Sequence, residues 1–165
     1  MAKTSIKLTL DFKDMLEAIK DAGGDIEQAA MKTATKCAEA MRDELVSECN
    51  ASDVPASVSG AIGHRVNATS GGNMYEVEAG WTLGDYNPKN PSPGYEAVFL
   101  NYGTARRTTK TRAVHQNIGG KWVTLGTDRG KITARGFIGR AKKNAGKKVK
   151  KIQKEALKEM LRELT

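Results

Sequence analysis

Tyr95–Thr104 reads YEAVFLNYGT, and thirty residues further on Ala134–Ala141 reads ARGFIGRA. The first stretch reads as a buried hydrophobic element closed by a tight turn, because Gly103 can adopt backbone angles that side chains resist. The second opens a long C-terminal helix. From Ile138 the apolar residues run through Ala141, Ala145, Val149, Ile152, Ala156, Met160 and Leu164, in steps of three or four. That is the spacing of one helix face. Lys142, Lys143, Lys147, Lys148, Lys150, Lys151 and Lys154 occupy the other faces. Gly139 and Gly146 each weaken the helix by about 1 kcal/mol relative to Ala, so its first third can be irregular.

Upstream, Ser5–Phe12 alternates Ile6, Leu8, Leu10 and Phe12 with Lys7, Thr9 and Asp11, the period of a half-buried strand. Asp11 then caps a short helix that buries Phe12, Met15, Leu16 and Ile19 and stops at Gly23-Gly24. Asp25 restarts the chain with Gln28 three residues on, a capping-box spacing. From there to Cys49, Ile26, Ala29, Ala30, Ala34, Cys37, Ala38, Met41, Leu45 and Val46 form a stripe of mostly small side chains at helical spacing. Small residues at a seam permit close backbone approach, so this helix packs tightly on a sheet or a second helix. Ala51–Ser59 is a loop by composition. Ala61–Val66 and Met74–Trp81 read as strands joined across Ser70-Gly71-Gly72-Asn73. Gly84–Gly94 holds three of the four prolines and reads as an exposed loop.

Between the two opening motifs lies Ala105–Lys131, with little core-forming material. Within it Ala113–Ile118 and Lys121–Leu125 flank Gly119-Gly120, a two-residue connection suited to a hairpin. The segment therefore reads as a projecting β-hairpin with basic, flexible ends; a disordered loop is the alternative.

Charge is concentrated in the same region. Asn101–Lys151 carries fifteen Lys/Arg against one acid, Asp128, a net +14; the rest of the chain sums to −6 within a total of +8. Such asymmetry suggests contact with a polyanion or an acidic protein surface, although a basic helix face is also an ordinary way to stay solvated. The chain has 165 residues, 39% hydrophobic and 28% charged, which suits one soluble domain with a real core. Aromatics are only 5%, so Ala, Val, Ile, Leu and Met must fill that core. No run approaches the roughly 18 apolar residues of a membrane span. The first residues lack an uninterrupted apolar segment of the signal-peptide kind, so a cytoplasmic setting is expected. Cys37 and Cys49 fall in one helix, about 18 Å apart at 1.5 Å per residue, too far for a disulfide.

Little in the chain points to catalysis. His64 and His115 lie in different segments, and neither stands at metal-ligand spacing from another His or Cys. His64 reads as structural and His115 as an exposed contact residue. No phosphate-binding glycine loop and no nucleophile elbow appears. Glu76 and Glu78 alternate with Tyr75, Val77 and Ala79, as on a solvent-facing strand edge. Trp122, among lysines and arginines, is the one aromatic suited to stacking on a nucleic acid, and a stacking platform needs several. No catalytic residue, metal site or cofactor site is expected.

With these elements in order, the chain resembles the small neck or tail-completion (head–tail joining) proteins of long-tailed bacteriophages. Members of that family have a long N-terminal helix, then a loop and strand entered through a Pro and a Gly. A hydrophobic segment ending in Tyr/Phe-Gly-Thr follows, and then an Arg-Pro-Phe-type start to a C-terminal helix. Here these correspond to Ile26–Cys49, to Val54-Pro55 through Gly60-Ala61-Ile62, to Tyr95–Thr104, and to Arg135-Gly136-Phe137-Ile138 with Ala141. The order and spacing agree over about 130 residues. Gly136 stands where the family favours Pro, and the basic insert is unusually long.

The resemblance implies a non-enzymatic structural virion protein of the neck, assembled in the host cytoplasm. It implies α+β architecture in a single domain, 1–165: two long helices packed on a small antiparallel sheet, with the hairpin insert at 105–131. Its implied partners are other copies of itself in a ring, for which a hexamer is one form, the neighbouring head-completion or connector protein, and the tail-terminator or tail-tube protein. Packaged DNA passing through the lumen is a further candidate; a membrane is not. Tyr95, Phe99, Tyr102, Gly103, Thr104, Arg135, Phe137 and Ala141 are the motif positions that would build the fold. Arg106, Arg107, Lys110, Arg112, His115, Trp122, Arg129 and Lys131 are the expected partner or DNA contacts. A small basic nucleic-acid-binding protein is the alternative reading, and a hydrolase a distant third.

Overall fold

The computed structural model describes residues 4–13, 17, 26–69, 74–82, 91–105, 114–118, 121–125 and 130–163, the two strands at 114–125 by their backbone alone. The fold is α+β. In chain order the elements are β1 (Ser5–Asp11), α1 (Ile26–Asn50), α2 (Ala56–Ser59), β2 (Gly63–Ala68), β3 (Met74–Gly80), α3 (Pro93–Tyr102), β4 (Val114–Ile118), β5 (Lys121–Leu125) and α4 (Phe137–Glu163).

Three strands form an antiparallel sheet in the order β1-β3-β2. The register sets Ile6 opposite Ala79, Leu8 opposite Val77 and Leu10 opposite Tyr75, so alternate residues of both strands share the face that meets the helices. Ile6, Leu10, Tyr75, Val77 and Ala79 are all buried there. The Asp11 side chain accepts the backbone N–H of Lys13 at 2.9 Å, the cap expected from the sequence. Phe12 behind it is buried edge-on against Tyr75, ring centres 5.6 Å apart. The remainder of the expected short helix, Met15, Leu16 and Ile19 included, lies outside the described residues.

α1 and α4 are the two long helices, and they run antiparallel. Lys148 pairs with Glu44, while Arg140 and Asn144 both reach Glu48, so residue numbers rise along one helix as they fall along the other. Ala34, Cys37, Ala38, Met41 and Leu45 on α1 are buried between α4 and the sheet, and α4 buries Ala141, Ala145 and Val149. Alanines on both sides let the backbones come close. Burying one such apolar side chain the size of Leu contributes about 1.5–3 kcal/mol.

Four sequence readings need correcting. Ala51–Ser59 is not a plain loop: after a turn at Ala51–Asp53, Pro55 leads into the single turn of α2. β2 begins at Gly63 rather than Ala61, because the Ala61 and Ile62 amides are used to finish that turn on the Val58 and Ser59 carbonyls. Pro93 and Gly94 belong to α3, not to an exposed loop, since Pro suits a helix's first turn and Gly94 is buried. Glu76 and Glu78 do face away from the helices, but on the central strand β3 rather than at a sheet edge.

The expected strand pairing is present, and its Gly119-Gly120 connection lies outside the described residues. β4 and β5 form their own two-stranded antiparallel sheet, with Ile118 opposite Lys121.

Candidate functional site

The two motifs that opened the sequence analysis meet at one junction. YEAVFLNY is α3, and its buried members are the small ones: Gly94, Ala97 and Asn101. Tyr95 and Phe99 are half-buried, and Tyr102 is 50% exposed. The expected buried hydrophobic element is thus a helix whose larger side chains lie only partly inside. It ends at Gly103, which has φ 73° and donates its N–H to the Phe99 carbonyl at 2.8 Å.

The returning chain passes so close to Gly103 that a Cβ there would lie 2.6 Å from the Ile132 carbonyl oxygen and 2.8 Å from the Ala134 nitrogen. Thr104 locks that approach from both sides. Its N–H donates to the Ile132 carbonyl at 2.9 Å, and its Oγ1 accepts the Ile132 N–H at 3.0 Å. Both ends of the basic insert are therefore tied together.

The next three contacts join two helix ends. A helix leaves its last carbonyls and its first amides without partners of its own. Here the Leu100 and Asn101 carbonyls at the end of α3 accept the N–H groups of Arg135 and Gly136, each at 3.0 Å. The Asn101 side-chain oxygen accepts the N–H of Ile138 at 2.9 Å, capping α4 from another helix. Gly136, with φ 62°, supplies the bend between them.

Two arginines dock this junction onto the end of α1. Arg135 Nη1 donates to the carbonyls of Ser52 and Asp53 at 2.7 and 2.6 Å. Arg140 donates to the Arg135 carbonyl at 2.7 Å, to Glu48 Oε2 at 2.9 Å and to Ser52 Oγ at 2.7 Å. α1 has no basic residue in its own last turn, where its dipole favours one, and Arg135, just before α4, and Arg140 within it provide the cations instead. Phe137 follows, fully buried and edge-on to Trp81 at 6.1 Å, while the Trp81 indole donates to the Val58 carbonyl at 2.6 Å. Ala141 is buried one turn further along.

Of the expected contact residues, Arg106, Arg107, Lys110, Arg112 and Arg129 lie outside the described residues. His115 is on β4 opposite Thr124, and Trp122 is on β5 opposite Asn117. Lys131 is exposed and, with Ser52, Asp53, Arg135 and Arg140, borders an open cleft of about 630 Å³ at the foot of the insert. His64 is exposed on β2. The sequence reading missed Asn101, Arg140, Glu44, Glu48 and Asn144. The signal for Asn101 was a lone amide inside an apolar run.

The titratable groups bear on chemistry. On the outer sheet face Glu78 accepts Ser5 Oγ at 2.5 Å and Arg65 Nε at 2.6 Å, with Lys7 3.7 Å away. Burial raises its pKa, but the hydrogen bonds from Ser5 and Arg65 and the charges of Arg65 and Lys7 outweigh that and hold it below the usual carboxylate range. A carboxyl shifted in that direction is poorly matched to acid–base catalysis near neutrality. Cys37 and Cys49 are free thiols pushed up to about 11 and about 12 by burial, with the Glu48 charge adding to Cys49, so both stay protonated and unreactive. Among the described residues no three His, Cys, Asp or Glu side chains gather as a metal site. No described helix is long and apolar enough to cross a membrane.

What the junction does is mechanical: it ties α1, α3 and α4 together and presents the root of the basic insert. The chain matches no family model, no curated protein and no solved structure.

Proposed function

We propose that this chain is a structural subunit of the neck of a long-tailed bacteriophage, oligomerising as a ring at the head–tail junction to complete or attach the tail. One observation carries the reading. The Tyr102-Gly103-Thr104 turn and the Arg135-Gly136-Phe137-Ile138 helix start, the motifs on which the family resemblance rests, are hydrogen-bonded into a single junction. That junction clamps both ends of a 27-residue basic segment onto a rigid helical frame. An assembly subunit needs this arrangement, because it must hold its own fold while offering a contact segment to a neighbour. In this reading Arg106, Arg107, Lys110, Arg112, His115, Trp122, Arg129 and Lys131 make the contacts with neighbouring copies and with the connector or tail proteins, and the protein resides in the virion.

The test is mass spectrometry of purified particles, combined with native mass measurement of the isolated protein alone and with its neck neighbours. The expected result is a constant copy number per virion and a closed oligomer in the presence of a neighbour. Absence from the particle, together with a persistent monomer in those mixtures, would overturn the assignment.

A further inference from the structure

α4 carries its cations in an ordered way. Lys143, Lys147, Lys150, Lys154 and Lys158 follow one another in steps of four, three, four and four residues. At 3.6 residues per turn all five fall within about 80° of the helix circumference, along about 22 Å of its axis. That sector lies opposite the stripe of Ala141, Ala145, Val149 and Ala156 buried on the protein. All five lysines are exposed. The carboxylates Glu44 and Glu48 across the seam are taken by Lys148, Arg140 and Asn144, and Glu155 by Lys151. Among the described residues none of the five ridge lysines has an acidic partner. Towards the helix start the charge is mixed: Arg140 is paired with Glu48, and Asp53 lines the cleft with Arg135 and Lys131 at the foot of the insert.

We infer that this outer face of α4 is a sequence-independent contact for the phosphate backbone of duplex DNA. Four arguments select that partner. A face kept merely soluble mixes both signs, as α1 does with exposed Glu27, Lys32, Lys36, Glu39 and Asp43. The α4 ridge is of one sign. A protein interface needs apolar or aromatic anchors at its centre and is depleted in Lys. The exposed large hydrophobics among the described residues are Met31, Met74, Tyr102 and Leu161, none of them between Lys143 and Lys158. A membrane-surface helix inserts its apolar side, but that side of α4 is already covered by α1. Single strands are bound by stacking on aromatics, which the ridge lacks. What remains is a straight row of compact point charges, about one per helical turn, against a polymer carrying one phosphate per 3.4 Å of each strand. Lysines without bidentate partners position a protein on the backbone and read no bases.

This proposal does not rest on the neck assignment, and the two fail separately: duplex binding is read on the isolated protein, neck membership on the particle. The test is fluorescence anisotropy of a labelled random-sequence duplex of about 25 base pairs between 50 and 200 mM NaCl. With four to five phosphates engaged, the slope of log K against log salt is expected near −4, a loss of a few hundred-fold across that range. K143Q/K147Q/K150Q/K154Q should make the slope shallower by about 3 to 4, since each lysine accounts for about 0.9. The α1 pair K32Q/K36Q should leave affinity within about twofold, because phosphate contacts act locally. The altered lysines are all exposed, so circular dichroism should show unchanged folding. No binding at 50 mM NaCl overturns the inference. So does an unchanged slope in the quadruple variant, which would move the contact to the insert. Equal, lysine-dependent binding of a labelled oligoglutamate also overturns it, in favour of an acidic protein partner.

Discussion

The Asn101 side-chain oxygen, buried in the last turn of α3, accepts the backbone N–H of Ile138 at the start of α4, 2.9 Å away. Its own backbone carbonyl accepts Gly136 N–H at 3.0 Å. One residue thus serves as the last turn of one helix and the cap of another, 37 positions further on. Asn101→Ala would leave the Ile138 amide buried without a partner. The expected cost is about 1–3 kcal/mol, the desolvation of one such group. Asn101→Asp keeps the acceptor and should lose less. Urea unfolding followed by circular dichroism measures both, and equal losses in the two variants would show that the cap is not the source of the effect.

Gly103 and Gly130 both have positive φ, at 73° and 68°, but only Gly103 has backbone packed against it. Gly130→Ala should cost about 1–2 kcal/mol, the price of a left-handed backbone for an L residue. Gly103→Ala adds a Cβ 2.6 Å from the Ile132 oxygen and should cost several times as much, because the Thr104–Ile132 clamp must open. Comparing the two melting temperatures separates backbone strain from the clash. Similar shifts for both would mean that the return chain yields freely.

The long elements were legible because their signals are local. α4 follows from Ile138 to Met160 by spacing alone, and the β4–β5 pairing follows from two glycines between alternating runs. α3 was harder to read. Its apolar residues keep no one-sided period, since the helix buries Gly94, Ala97 and Asn101 and leaves Val98, Phe99 and Leu100 only half covered. Periodicity detects a helix only when one face differs from the rest. The partners of Arg135 were invisible for another reason. They are the Ser52 and Asp53 carbonyls, more than 80 positions away, and a guanidinium bonded to backbone carbonyls leaves no trace in the identity of the residues it caps. Arg140 meets side-chain oxygens of Glu48 and Ser52 just as far away, a pairing that local periodicity does not reveal.

Glu78 makes stability depend on pH in a defined direction. Its pKa is held below the ordinary glutamate value, so between the two values the unfolded chain binds more protons than the folded one. The stabilisation is fully present above the unfolded value, about 4.3, and is lost as pH falls through the folded value. Glu78→Gln removes the charge that Arg65 and Lys7 meet and should cost about 1 kcal/mol at pH 7. Urea midpoints of the two proteins should converge as pH drops below about 4. A gap that stays constant from pH 7 to pH 3 would place the linkage elsewhere.

Cys37 and Cys49 report on the buried side of α1. Both lie on the buried side of α1, their thiols pushed up to about 11 and about 12 by desolvation, with the Glu48 charge adding to Cys49. At pH 8 both would be overwhelmingly protonated even if reagent could reach them, and the thiolate is the reactive form. Packing blocks the reagent as well, so labelling must wait for the buried side of α1 to lose its cover. An excess of aromatic disulfide reagent at pH 8 should therefore modify neither thiol in the time that urea-unfolded protein takes to release two equivalents. Added urea below the unfolding midpoint should raise the rate in proportion to the population of the open form, which ties labelling to the uncovering of α1. Asn101→Ala, which loosens the start of α4, should label faster than the parent protein in plain buffer. Immediate modification of both thiols in the native protein would mean that the buried side of α1 is open in solution.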